Sequence, residues 1–250
     1  MMHSILIIGQ SNMAGRGFKN DVSPINNDAL FVLRNGRWRK MYVPVNPDRS
    51  TSGISLVESF ADLYARDHNV DVGIIPCADG GTSLDQWQVG GLLFDHACYM
   101  SELASRTSTI AAVLWHQGEA DCHDVRYPLY EQKLTVIMDA FRKKLGLYDV
   151  PFLLGGLGDY LEFNDMSNIF KNYIYINEAL EKVADKNKMT AFVSAKGLGA
   201  NPDNLYFSAQ ALREFGSRYY DEFLKIEDRN KVFEEKCTPD QAIKNDIENL

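Results

Sequence analysis

The sequence is sparing with cysteine, basic charge and long apolar runs, and each shortage excludes a class of protein. Four cysteines, Cys77, Cys98, Cys122 and Cys237, are scattered over 250 residues with no CxxC pair and no regular spacing, so no disulfide framework is encoded. Reduced, buried thiols in a cytoplasmic protein are the expectation. Lys and Arg number 26 against 34 Asp and Glu, a net charge of −8. Such a chain lacks the clustered cations that release counterions from a phosphate backbone, so nucleic acid and acidic membrane surfaces are disfavoured as partners. The apolar start, Ile5-Leu6-Ile7-Ile8, is too short for a signal-peptide core, lacks a basic flank and runs directly into Gly9-Gln10-Ser11. It reads as a buried first strand. No internal repeat or low-complexity tract is present.

What is there suits one α/β domain: 45% hydrophobic and 24% charged residues, enough apolar surface for a sizeable core. Short β-branched or aliphatic runs predict strands at Ser4 to Gly9, Val70 to Cys77, Ile110 to His116, Pro151 to Gly156 and Met189 to Ser194. Apolar residues spaced by three and four predict helices at Ser55 to Asp67, Phe94 to Arg106, Tyr127 to Leu145, Lys171 to Lys186 and Ser208 to Leu224. The alternation implies βα units, hence an α/β fold: a three-layer α/β/α sandwich around a mainly parallel five-stranded sheet. Asn35-Gly36 inside Leu30 to Pro47 signals a β-hairpin, expected near the mouth of the site. Residues 1–225 form the domain, and residues 226–250, charge-rich with Pro239, read as a peripheral helical tail.

Ligands of such sheets bind beyond the carboxyl ends of the strands, where strand order reverses. The first strand runs into Gly9-Gln10-Ser11-Asn12-Met13-Ala14-Gly15-Arg16-Gly17. A serine at a strand-to-helix turn exposes its Oγ and offers its own N–H to a developing oxyanion, although alone it could merely cap a helix. The second informative strand runs into Ala78-Asp79-Gly80-Gly81-Thr82-Ser83-Leu84-Asp85-Gln86-Trp87. Its glycines can present an unobstructed N–H and its tryptophan can wall a sugar-sized pocket, or the segment could be a plain tight turn. The third runs into Trp115-His116-Gln117-Gly118-Glu119-Ala120-Asp121, where the Gln117 amide could donate to an oxyanion. His116, Glu119 and His123 are metal-ligand types, but Gly118 and the strand-to-loop geometry give them no common helical face.

GQSNMAGRG, ADGGTSLDQW and WHQGEAD, in that order after successive strands, resemble the sialate O-acetylesterase and acetylxylan esterase branch of the SGNH (GDSL-like) hydrolases over most of residues 1–225. The resemblance implies a flavodoxin-like SGNH fold and a serine carbohydrate esterase without metal or organic cofactor, acting on an acetylated carbohydrate or other small ester. It makes Ser11 the nucleophile, with the oxyanion hole formed by Ser11, Gly81 (or Gly80) and Gln117. Gln10, Asn12, Thr82, Trp87, His116 and Glu119 become substrate-binding or supporting residues.

The family's last block, Asp-x-x-His, falls on Asn201-Pro202-Asp203-Asn204-Leu205-Tyr206, so Asp203 takes the acid position and Tyr206 stands where the histidine belongs. Histidine, with a pKa of ~6.5, can take and return the serine proton near neutrality, whereas a tyrosine of pKa ~10 is mostly a donor there. Three explanations follow: an impaired or silent relative that keeps an acyl-sugar pocket, recruitment of His116, His123 or His96, or Tyr206 itself as base beside a cation. A metal-assisted hydrolase using His116, Glu119 and His123 is a further alternative.

Overall fold

The computed structural model describes residues 2–164 and 167–236. In chain order its strands are β1 (Met2–Gly9), β2 (Leu30–Arg34), β3 (Arg37–Lys40), β4 (Val72–Pro76), β5 (Ser108–His116), β6 (Phe152–Gly155) and β7 (Thr190–Val193). Its α-helices are α1 (Ser11–Ala14), α2 (Val57–His68), α3 (Leu92–Ala104), α4 (Tyr130–Leu145), α5 (Ser167–Phe170), α6 (Tyr173–Lys186) and α7 (Ala209–Lys236).

A parallel strand covered on both faces must be apolar throughout, and Ile5-Leu6-Ile7-Ile8 meets that demand at the centre of the sheet. All four side chains are wholly buried, each worth roughly 1.5–3 kcal/mol of removed apolar surface. On one side β1 aligns with β4 (Ile5 opposite Ile74, Leu6 opposite Ile75), and on the other with β5 (Ile7 opposite Leu114). The sheet order is β3-β2-β4-β1-β5-β6-β7, parallel except for β3. Helices α2 and α7 pack together on one face, and α3, α4 and α6 cover the other. Their apolar stripes follow helical spacing: α2 buries Val57, Phe60, Ala61, Tyr64 and Ala65 and stops at Asn69 in the left-handed region (φ 51°). Helix α4 buries Tyr130, Leu134, Ile137, Met138 and Phe141 and stops at Gly146 (φ 68°). Among the described residues no helix is long and apolar enough to cross a membrane.

The sandwich matches the expected class, but the sheet has seven strands rather than five. The difference is the Asn35-Gly36 hairpin. Both turn residues take positive φ (49° and 72°), as a tight two-residue hairpin requires, and β2 pairs in parallel with β4 from Leu30–Val72 to Val32–Ile74. The hairpin therefore covers an otherwise open sheet edge instead of guarding the mouth of the site. Helix α7 also outruns its predicted end at Leu224, and the expected domain boundary after residue 225 falls inside it, with Ile226 buried. Pro239 and Cys237 lie outside the described residues. Cys77, Cys98 and Cys122 are free and buried.

From β1 the chain first visits β2, β3 and β4 on one side, then crosses to β5 on the other, so strand order reverses at β1. The loops after β1, β4 and β5 converge there. The approach is tight at the end of β1. Gly9 has φ +132°, and a Cβ added to it would lie 2.1 Å from the His116 carbonyl oxygen. That carbonyl accepts the Gln10 N–H at 2.9 Å, which fixes the start of the turn bearing Ser11. Gly9→Ala combines backbone strain with a clash against main chain that cannot rotate away, and should lower the unfolding free energy by about 3 kcal/mol or more in urea denaturation. A loss below about 1 kcal/mol would show that β1 and β5 can separate cheaply.

Candidate active site

Ser11 is the first residue of the single-turn helix α1, after Gln10 in extended conformation (φ −120°, ψ −153°). The first N–H groups of a helix have no partner within it. Here Met13 and Ala14 donate to the Gln10 carbonyl, and the Ser11 N–H and Oγ have no hydrogen-bond partner among the described residues. The flanking amides are committed. Gln10 Oε1 accepts from Gln117 Nε2 at 3.2 Å and from the N–H groups of Gly118 and Ala120 at 3.4 Å each. Asn12 Nδ2 donates to Glu119 Oε1 at 2.6 Å and to the Leu205 carbonyl at 3.3 Å, while its Oδ1 accepts the Phe207 N–H at 3.2 Å. Asn12 thus grips the chain on both sides of Tyr206.

Glu119 is buried against His116, whose Nε2 lies 3.4 Å from its Oε1. Burial alone would favour the neutral acid, but His116 and the Asn12 amide outweigh it and hold the Glu119 carboxyl below its ordinary range. Asp121 is the opposite case: burial pushes its carboxyl up despite hydrogen bonds from Gln117 (2.6 Å) and the Leu84 N–H (2.9 Å).

The loop after β4 brings Gly80 against Ser11: a Cβ on Gly80 would lie 3.5 Å from Ser11 Cβ and 2.6 Å from Arg16 Nη2. The Gly80 N–H is taken by Asp48 Oδ2 at 2.8 Å, whereas the Gly81 N–H has no partner among the described residues. Gly81 has φ +77° and open space where a side chain would stand. Of the two glycines, Gly81 is the one with a donor to offer.

Asp48 and Arg16 form a bidentate ion pair (Nη1–Oδ1 3.0 Å, Nη2–Oδ2 2.7 Å) whose side chains are each 4% exposed. Burial would raise the Asp48 pKa, but Arg16, the Ser52 hydroxyl and the Gly80 N–H hold it below its ordinary value of 3.8. A carboxylate with a depressed pKa stabilises the fold above its unfolded pKa, so this contribution is present above about pH 4 and is lost as pH falls below it.

Several expectations need correction. Gln117 is wholly buried and its Nε2 faces three acceptors, Gln10 Oε1, the Thr82 carbonyl at 3.0 Å and Asp121 Oδ2. Its two amide hydrogens are thereby engaged, and it ties the loops together instead of opening toward a substrate. Trp87 does not wall a pocket. Its ring is fully buried edge-on to Trp115 (centroids 5.6 Å apart), and its Nε1 donates to the Thr82 hydroxyl at 3.1 Å. The hairpin stays at the sheet edge, and what reaches the site is the segment after it, through Asn46, Asp48 and Arg49.

No histidine is hydrogen-bonded to Ser11 among the described residues. His116 is in the core beside Phe207 and Phe215, His96 is exposed in a groove with Asp48 and Asp79, His123 is exposed, and His3 and His68 pack against Tyr64. Nor do His116, Glu119 and His123 gather: among the described residues no three His, Cys, Asp or Glu side chains could hold a metal ion. Asp203 and Tyr206 do share one turn, with Asp203 Oδ1 accepting the N–H groups of Leu205 (2.9 Å) and Tyr206 (3.1 Å). The Tyr206 ring lies under the Arg16 guanidinium, 5.9 Å from its centroid. A cation is therefore beside Tyr206, but it faces the ring and is neutralised by Asp48.

Arg16, Asp48, Arg49 and Asp79 were missed by the sequence reading. Arg16 stood in plain view between two glycines of the first motif, and an arginine fixed in such a turn signals a buried acidic partner. Nothing local identified that partner as Asp48, 32 residues away.

Among the described residues the site thus offers an unpartnered serine hydroxyl and N–H, an unpartnered Gly81 N–H next to the Gly80 that approaches Ser11, and Asp203 and Tyr206 on a turn anchored by Asn12. Comparison with known proteins bears on the family and the fold. Residues 1–225 match the family of carbohydrate esterases described as sialic acid-specific acetylesterases. A probable carbohydrate esterase of Arabidopsis thaliana is 27% identical over 238 residues, 84% of this chain and 86% of the plant protein. Its solved structure superposes with a TM-score of 0.78 at 26% identity, covering 89% of this chain and 98% of that one. The fold is shared with NanS (TM-score 0.68, 16% identity, 91% and 98% covered). It is also shared with a carbohydrate acetylesterase from Xanthomonas citri (0.63, 18%, 87% and 55% covered). The chain thus belongs to the carbohydrate esterase, sialic acid-specific acetylesterase family.

Proposed function

We propose that this chain is a serine-dependent carbohydrate esterase for acetyl or similarly small acyl groups, with turnover restrained by Tyr206. The observation that carries this reading is the contrast at the switch point. Gln10, Asn12, Gly80 and Gln117 are all hydrogen-bonded, while among the described residues the Ser11 hydroxyl, the Ser11 N–H and the Gly81 N–H have no partner. In the proposed reaction Ser11 Oγ attacks the acyl carbonyl, the developing oxyanion takes the Ser11 and Gly81 N–H groups, and the sugar hydroxyl departs. Water then cleaves the acyl-serine.

The weak step is removal of the Ser11 proton. In the SGNH relatives that the sequence resembles, an imidazole at this position would receive it. Losing a triad base costs as much as ~10⁶ in turnover in a serine protease and leaves roughly 10³–10⁴ over water from the oxyanion hole and binding. A catalytically silent acyl-sugar-binding protein is the competing reading, favoured by the lack of any imidazole at Ser11.

Two measurements separate them. A fluorophosphonate should label Ser11 slowly in this chain, as read by mass spectrometry, and not at all in Ser11→Ala. A chain inert to the reagent while Tyr206→His is labelled supports the silent reading. Tyr206→His places an imidazole on the turn that Asp203 organises, and should raise p-nitrophenyl acetate hydrolysis by ~10² or more. Because the base must be neutral to accept a proton, that rate should increase as pH rises through about 6.5. An unchanged rate in the histidine variant would overturn the role given to position 206.

A further inference from the structure

Gly80 joins two peptide groups that are held in different ways. The Asp79–Gly80 peptide is fixed at both ends: its N–H donates to Asp48 Oδ2 at 2.8 Å and its carbonyl accepts the Thr82 hydroxyl at 2.7 Å. The Gly80–Gly81 peptide is fixed at one end only. Arg49 Nη2 donates to its carbonyl at 3.0 Å, and its N–H has no partner among the described residues. In a trans peptide the C=O and N–H point in opposite directions, and among the described residues the sole cis bond is Val43–Pro44. Whatever holds the Gly80 carbonyl therefore aims the Gly81 N–H.

Arg49 is itself constrained. Its Nη1 donates to Asp79 Oδ1 at 2.7 Å and to the Asp48 carbonyl at 2.8 Å, so one guanidinium fork holds both the Asp79 side chain and the Gly80 carbonyl. Among the described residues no other hydrogen bond holds this peptide. Gly81 has no side chain, sits at φ +77° and has no atom within 4 Å of its would-be Cβ, so it adds no steric restraint of its own. Without the guanidinium the peptide is free to turn its carbonyl toward the oxyanion, replacing attraction with repulsion.

We infer that Arg49, held by Asp79, is a positioning residue for the oxyanion site, latching the Gly80–Gly81 peptide so that its N–H faces the acyl oxygen. This rests on the reading of Ser11 as nucleophile and Gly81 as donor. Arg49 touches no reacting atom, because the bond it makes is to the far side of the peptide. An oxyanion donor is worth ~10²–10³ in turnover, and a misaimed one forfeits part of that.

The test compares Arg49→Ala and Arg49→Lys in the Tyr206→His background, with active protein counted by fluorophosphonate labelling. Arg49→Ala should lower kcat on p-nitrophenyl acetate by about 10- to 100-fold with KM changed by less than about threefold. Arg49→Lys should recover part of the loss, since an ammonium can reach one acceptor but lacks the fork. Because this ion pair is solvent-exposed, the melting temperature should hardly move. An unchanged kcat, or a fall matched by the loss of labelled protein, would overturn the inference. Should Tyr206→His be inactive and Ser11 unlabelled, the nucleophile reading is what fails. The latch is then decided by crystal structures with and without Arg49: a rotated Gly80–Gly81 peptide in Arg49→Ala supports it, and an unrotated one refutes it.

Discussion

The buried ion pair between Arg16 and Asp48 is the constraint on which the rest of the site depends. A guanidinium cannot be left alone in a protein interior, and removing one partner of such a pair costs about 3–5 kcal/mol. Arg16 lies five residues beyond Ser11, and Asp48 comes from the segment that follows the edge hairpin. Their union fixes that segment across the loop after β4, where Asp48 also accepts the Gly80 N–H and Asn46 exchanges hydrogen bonds with both polar groups of the Ala78 backbone. Three stretches of chain that share no secondary structure are thereby set in one arrangement. Replacing a buried pair with well-packed apolar groups is often neutral or stabilising, so what this pair contributes is geometric: it sets the loop that carries Gly81 beside the turn that carries Ser11.

Around that pair the polar groups divide into anchors and free ends. Gln10, Gln117, Asp121 and Thr82 link the loops after β1, β4 and β5 on one side of Ser11. Asn12, Glu119 and His116 link them to the turn of Asp203 and Tyr206 on the other. Low dielectric makes such hydrogen bonds strong and makes unpaired groups costly, so buried donors end on partners wherever partners exist. Among the described residues the Ser11 hydroxyl and N–H and the Gly81 N–H have no such partner, and they lie at the place where strand order reverses. The same scaffold holds the backbone on both sides of position 206 through Asn12, the neighbour of Ser11.

Much of the fold was legible because its signals are periodic and local. Ile5-Leu6-Ile7-Ile8 had to be a strand covered on both faces, and Val57, Phe60, Ala61 and Tyr64 had to form one helical face. Asn35-Gly36 announced a hairpin, but pairing of its first strand with Val72 to Ile74 is a long-range event that no local pattern encodes, and the strand count fell short for that reason. The end of α7 was misjudged because its polar residues beyond Leu224 weaken the apolar stripe without stopping the helix.

For the site, the sequence by itself determined which residue types lie at the ends of β1, β4 and β5, and that position 206 is a tyrosine where the family pattern calls for histidine. Motif order carried that much, since residues near in sequence must stay near in space. The tertiary structure decided how those side chains are used: Gln117 and Trp87 turn inward, Gly80 gives its N–H to Asp48, and Gly81 keeps its own. It also brought Arg16 to Asp48 and Arg49 to the glycine loop, pairs separated by some thirty residues. The physical reason is that a hydrogen bond depends on direction as well as on proximity, and direction is set by loops whose course depends on burying charge, which a linear pattern of residues does not contain.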